Sequence, residues 1–223
     1  MWCIPPEQNA RFVCDMENVL EVYKRPYDPK RPVVCFDETS KQLIAETRPP
    51  LPAAAGKPCR FDYEYERKGT ANLFMLCQPL RGWRKVNVTQ QRTRCDFAEQ
   101  IRELADVHFA KAKRITVVMD NLVTHELASL YEAFDPTEAR RLLEKIEPVY
   151  TPRHGSWLNI AEIELSVLQR QCTHGRIADA ATLTQKAAQW EQQRNQEAKK
   201  VDWQFTTQDA RAKLRRLYPK FSS

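Results

Sequence analysis

Two short apolar runs, each ending in an acid, constrain the fold more than any other feature. VVCFDE (33–38) is β-branched and aromatic and is bounded by proline, and RITVVMDN (114–121) is fully apolar up to its aspartate. Runs of this length and character predict buried strands. Between them, TANLFMLCQ (70–78) and GWRKVNVTQ (82–90) flank the short turn PLRG. Trp83, Val86 and Val88 alternate with polar residues, so the pair predicts a β-hairpin. Thr93 is placed to cap a helix over 94–111, whose apolar positions are Phe97, Ile101, Leu104, Ala105 and Phe109. Two short helices near 124–133 and 136–146 and a short strand at 147–152 follow. Helices are also expected at 6–23, 154–171, 180–199 and 209–218, and a proline-rich extended loop at 47–60. An antiparallel trio followed by crossover-linked parallel strands makes a mixed five-stranded sheet flanked by helices, the α/β order of the ribonuclease-H-like fold.

Composition narrows the function classes. The chain of 223 residues carries a net charge of +6, which permits a polyanionic partner without demanding one. The basic residues gather at Lys24–Arg31, Lys111–Arg114, Lys199 with Lys200, and Arg211–Arg216. No apolar run is long enough to span a bilayer, so no membrane role is expected. The N-terminus lacks the pattern of a secretory signal. Seven scattered cysteines with no CxxC pair argue against a zinc site or a disulfide framework and for reduced thiols in the cytoplasm.

The acids Asp37 and Asp120 carry the candidate chemistry. If their strands are parallel neighbours, the strand tips are about 4.8 Å apart. Two carboxylates that close either share a proton or share a cation. Oxygen ligands alone favour Mg²⁺ or Mn²⁺, and carboxylate-bridged pairs of such ions serve nucleases and polymerases. A strand-end aspartate also serves as a turn former or a helix cap, and Asp120-Asn121 fits that role too.

A third acid comes from HGSWLNIAEIELSVLQRQ (154–171). At 100° per residue, Leu158, Ala161, Leu165, Leu168 and Cys172 form one apolar stripe, and Ile160, Ile163 and Val167 a second. Glu162 joins Asn159, Ser166 and Gln169 on a polar stripe, whereas Glu164 falls on the opposite side, 200° away. The two glutamates therefore cannot serve one site. Glu162 is the better ligand, and Glu164 is expected to be structural or at the surface. Glu38 follows Asp37 on the other face of its strand and is not expected to bind catalytic ions.

VVCFDE, VVMDN and SWLNIAEIELSVLQRQC resemble, in order, the three catalytic blocks of the IS630 group of bacterial transposases, within the Tc1/mariner DDE/D superfamily. RFDYEYERKGTANLFM and RAKLRRLYP resemble that group as well, so the likeness covers most of the chain. The resemblance implies a ribonuclease-H-like core that cuts DNA at transposon ends and joins the 3′ ends to a target. It implies the triad Asp37, Asp120 and Glu162, the last three residues after Asn159 as in the related LNPIE block. It also implies two divalent ions, Mg²⁺ or Mn²⁺, with Asp37 bridging both and Asp120 and Glu162 each holding one.

Asn121, His125, His154 and Asn159 are candidate supporting residues, and Arg153, Arg170 and Arg176 candidate phosphate contacts. For the histidines a hydrogen-bonded structural role is the alternative. Trp157 is expected to pack. The implied partners are transposon-end and target DNA, with a homodimer on paired ends, in a bacterial cytoplasm at the nucleoid.

The gap from Asp120 to Glu162 holds 41 residues, longer than in the eukaryotic branch, and Phe134–Ile146 accounts for the excess. Only 36 residues precede Asp37, too few for the helix-turn-helix region that reads transposon ends in this group. The expected organisation is an N-terminal helix and basic linker over 1–32, the catalytic domain over 33–200 and a helical tail over 201–223. Two other readings stay open: an inactive transposase-derived DNA-binding or assembly module, and another ribonuclease-H-like endonuclease such as a junction resolvase.

Overall fold

The computed structural model describes residue 5, residues 7–60 and residues 62–220. The expected start of the first helix at residue 6 lies outside them. Helix α1 (Ala10–Tyr23) begins where the Asn9 side chain accepts a hydrogen bond from the Phe12 N–H. Strands β1 (Val33–Glu46), β2 (Tyr65–Gln78) and β3 (Trp83–Thr89) form an antiparallel meander. β4 (Ile115–Met119) and β5 (Ile146–Tyr150) add in parallel on the other side of β1, giving the order β3-β2-β1-β4-β5.

Side-chain parity sorts the core into two layers. On β1, Val33 and Cys35 face one layer and Val34 and Phe36 the other. The first layer also holds α1, α5 (Ile160–Leu168), α6 (Ala180–Glu197) and α7 (Thr207–Lys213). The second holds α2 (Arg94–Glu103), α3 (Ser129–Ala133) and α4 (Pro136–Lys145). The result is the mixed five-stranded sheet between helical layers expected of a ribonuclease-H-like fold. Each strand in the middle of the sheet is buried on both faces, which is why β4 reads as a continuous apolar run rather than an alternating one.

Several boundaries differ from the sequence reading. β1 does not end at Glu38. TSKQLIAE continues it, because β2 starts at Tyr65 and offers a partner as far as Glu46, with a register shift between Gln42 and Ile44. The expected helix 94–111 stops at Glu103 and widens into a π turn, Leu104–His108, that lets Phe109 pack on Trp83. Its start is as expected: Thr93 and Asp96 form a reciprocal capping box. Only Ser129–Ala133 of the expected 124–133 helix is α-helical, after a 3₁₀ turn at Val123–His125. Residues 47–60 form a loop with two isolated bridges, Leu51 to Arg60 and Ala54 to Lys57.

The free edge of β3 is covered by α6. The Asn195 side chain accepts from the Arg84 N–H and donates to the Arg84 carbonyl, both at 2.7 Å, and Glu191 accepts from the Val86 N–H at 2.8 Å. The far end of α6 docks on the β2–β3 turn. Gly82 there has φ +65°, and a Cβ would stand 2.4 Å from the Ala198 backbone, so only glycine fits.

Candidate active site

Parity also aims the acids. Asp37 follows Cys35 by two residues and faces the α5 layer; Asp120 follows Val118 by two on the neighbouring parallel strand and faces the same way. Asp37 is not at a strand end as expected, because β1 runs on. It sits two residues past Cys35, the last β1 residue in register with β4. Across from them, α5 is held by Asn159. Its side chain caps the helix by accepting from the Ala161 N–H at 3.1 Å and donates to the Phe36 carbonyl at 2.8 Å. The residue before Asp37 is thus tied to the residue that starts the Glu162 helix. Asn159→Ala removes a cap and orphans a buried carbonyl, and is expected to cost about 2 kcal/mol in a urea titration.

Asp37, Asp120 and Glu162 line one cleft of about 430 Å³, together with Ser40, Ser156 and Ser166. Asp120 is close enough to oppose the ionisation of Asp37. Burial first, and then the Asp120 charge, push the Asp37 carboxyl up to about 7, against the Glu38 N–H that it accepts at 2.9 Å. Glu162 is exposed on the facing wall. Among the described residues, no three His, Cys, Asp or Glu side chains stand close enough to enclose an ion. The three acids share a cleft without converging to ligand distances.

His125, one of the candidate supporting residues, is the centre of a buried relay behind the cleft whose Glu38 arm the sequence did not announce. His125 Nε2 lies 2.6 Å from Glu38 Oε2, and Nδ1 lies 2.5 Å from Asp120 Oδ1, an ion pair set off the line of an aligned hydrogen bond. Its ring packs edge-on against Phe36 and beside Phe97. Burial alone would lower the His125 pKa, but the contacts with Asp120 and Glu38 outweigh it and hold the imidazole up to about 9. At neutral pH this charged histidine is the buried counter-ion of Glu38 and steadies Asp120. Arg92 is 3.8 Å from the other Glu38 oxygen. Lys41 lines the cleft but donates to the Thr173 and Gly175 carbonyls at 2.7 and 2.9 Å. Asp37, Glu38, Asp120 and Glu162 line the cleft with one cationic side chain, Lys41, and an oxygen-rich donor set of that kind fits a hard divalent cation.

The second glutamate is the larger surprise. Glu164 is 2% exposed and is gripped by the equally buried Arg84: Nε donates to Oε2 at 2.8 Å and Nη2 to Oε1 at 2.7 Å. Arg194 stands 3.4 Å away. Ile163, placed on an apolar stripe by the helical phase, is instead 41% exposed. The guanidinium makes the Glu164 side of α5 an inward face, which residue type alone disguised. Leu158 lies in a 3₁₀ turn, Ser156–Leu158, before α5, and Gln169–Thr173 form a π turn after it, so the expected helix 154–171 is regular only in its middle.

The remaining candidates scatter. Asn121 and Arg153 are exposed, and His154 is exposed with φ +65°. Arg170 donates to Ser166 Oγ at 2.9 Å. Arg176 contacts Glu46 at 2.5 Å and stacks over Tyr65. Trp157 packs against Phe205. A larger groove of about 520 Å³ along α6 holds one acid, Glu197, and lacks the carboxylate set.

Residues 32–184 match the family of DDE superfamily endonucleases. The chain belongs to that family. Among solved structures, this DDE endonuclease is similar in fold to the Mos1 transposase. The mariner Mos1 paired-end complex with Mg aligns at TM-score 0.60 and 15% identity over 98% of this chain and 66% of that one. The paired-end complex with Mn aligns at 0.55 and 16% over 86% and 58%. The Mos1 strand transfer complex aligns at 0.53 and 14% over 85% and 56%. The DDE chain thus spans about three fifths of the Mos1 chain, and at this identity the likeness is one of fold. No curated protein matches.

Proposed function

We propose that this DDE endonuclease is the catalytic part of a transposase of the IS630 group, which cuts DNA at transposon ends and joins the 3′ ends to a target. The observation that carries the reading is the cleft in which Asp37 and Asp120, on adjacent parallel strands, face Glu162 of α5. The neighbours' names add support, since they describe Mos1 on paired ends, in strand transfer, and with Mg or Mn.

Asp37, Asp120 and Glu162 would hold two divalent ions, Mg²⁺ or Mn²⁺. When bound, such ions supply Lewis acidity toward water and toward the phosphate oxygens. The chain's own groups do the positioning. Asp37, whose carboxyl is held up first by burial and then by the Asp120 charge, would be kept ionised by a cation held at this place. His125 keeps Asp120 from swinging away. Asn159 fixes the start of α5 relative to Asp37. Arg153 and Arg170, on the solvent side of this region, are the phosphate contacts nearest the Glu162 helix in sequence. Residues 33–200 make up the catalytic unit in this reading, which works as a pair on DNA in the bacterial cytoplasm.

The test is plasmid nicking and strand transfer with Mn²⁺. Asp37→Ala and Glu162→Ala should each lose about a thousandfold or more in rate, about 4 kcal/mol of barrier. Nicking at the wild-type rate by both variants overturns the assignment. Wild-type binding to DNA ends without any cutting would instead favour an inactive assembly module.

A further inference from the structure

Helix α5 carries one glutamate toward the cleft and one away from it, and the one facing away is held in a fixed direction. Arg84 has little freedom to move. Besides its two bonds to Glu164, its guanidinium donates to the Gly82 carbonyl and the Lys199 carbonyl, each at 2.6 Å. The Asn195 side chain pins its backbone on both sides. The fork is therefore aimed by β3, by the β2–β3 turn and by the end of α6 together.

Two parallel N–H···O bonds fix an orientation as well as a distance, which a single point charge does not. The helix receiving them needs such a constraint. It has nine residues and lies between a 3₁₀ turn and a π turn, so its rotation is not set by long regular ends. Its other inward residues, Ile160, Ala161, Leu165 and Leu168, have apolar, non-directional side chains. A carboxylate about 5–6 Å from the helix axis moves by about 2 Å when the helix turns by roughly 20°. A misplacement of about 1 Å already costs a positioned reaction about a hundredfold. A buried ion pair is also a poor way merely to fill the core, since apolar residues of similar volume hold a fold as well or better.

We propose that Arg84 is a positioning residue: through Glu164 it sets the rotation of α5 and so aims Glu162 across the cleft. The inference rests on the reading of Glu162 as a metal-binding carboxylate.

The test measures Mn²⁺ affinity by electron paramagnetic resonance of the free ion, and melting temperature beside it, on the whole chain. Arg84→Lys keeps the charge and loses the fork; Glu164→Gln keeps the shape. Both should weaken Mn²⁺ binding by about tenfold or more while remaining folded, with faster hydrogen exchange in α5. The apolar pair Arg84→Met with Glu164→Leu should recover melting temperature but not Mn²⁺ affinity. The double variant removes one charge of each sign, so weaker binding in it reports orientation and not net charge. Wild-type Mn²⁺ affinity in either single variant overturns the proposal, as does affinity that returns with stability in the double variant. A folded wild-type chain that binds no Mn²⁺ overturns the reading of the cleft, and this inference with it.

Discussion

Asp37→Asn should make the metal-free protein more stable and its DNA cutting undetectable. Asp37 is a largely buried carboxyl beside Asp120, with a pKa raised to about 7 from an ordinary 3.8. A carboxyl with a raised folded pKa binds its proton more tightly when folded. Its contribution is intact below the unfolded pKa near 4 and is lost as pH rises toward 7; above 7 the loss is constant. A shift of this size corresponds to at most about 4 kcal/mol, and solvent in the open cleft reduces it to about 2 kcal/mol. In EDTA the melting temperature of the wild type should therefore fall between pH 5 and pH 8. Asp37→Asn should remove the part of that slope below about pH 6.5. The part above it is shared with His125, whose raised pKa loses stability as pH climbs toward 9, and the variant should melt higher at pH 8. Saturating Mn²⁺ should reverse the order, since binding at a hundred times Kd stabilises the wild type by about 2.7 kcal/mol. A flat pH profile for the wild type, or an asparagine variant that melts lower at pH 8 in EDTA, would show that its surroundings do not raise the Asp37 carboxyl.

The second large effect is on stability alone. Glu164→Leu strands the Arg84 guanidinium, 2% exposed, with no carboxylate in reach. Removing one partner of a buried pair leaves an uncompensated charge and costs about 3–5 kcal/mol. For a chain of this size that is about 10 °C in melting temperature. Calorimetry of the single variant checks it, and a loss below about 1 kcal/mol would mean that water reaches Arg84. Glu162→Leu, on the exposed side of the same helix, should change the stability by less than about 0.5 kcal/mol in EDTA.

What the sequence made legible is what depends on period. Alternation along VVCFDE and VVMDN settles which face each acid takes, and a 100° step separates Glu162 from Glu164. The Thr93 cap and the β2–β3 hairpin rest on local chemistry and were equally readable. What stayed hidden depends on partners distant in the chain. Arg84 shares its face of β3 with Val86 and Val88, but a guanidinium by its type alone does not read as a core residue. Only α5, 80 residues later, turns it into a core residue. Glu38 was placed on the correct face, yet nothing local says that this face is closed over by His125, 87 residues on. The true length of β1 was missed for a similar reason, because TSKQLIAE is a strand only where β2 runs beside it. One signal was available: a histidine five residues beyond a strand-end aspartate, among apolar residues, is well placed to turn back onto that carboxylate.

The covering of β3 by α6 limits how this protein can associate. An uncovered edge invites a foreign strand, and addition of strands is the simplest route to both specific pairing and aggregation. Here Asn195 and Glu191 already occupy the outward-facing amides of Arg84 and Val86. The opposite edge, β5, carries Pro148, which has no amide to offer. Strand addition is thus blocked at Arg84 and Val86 on one border and at Pro148 on the other, and the length of β1 beyond Cys35, which β4 does not reach, is a stretch of the sheet with a strand on one side only.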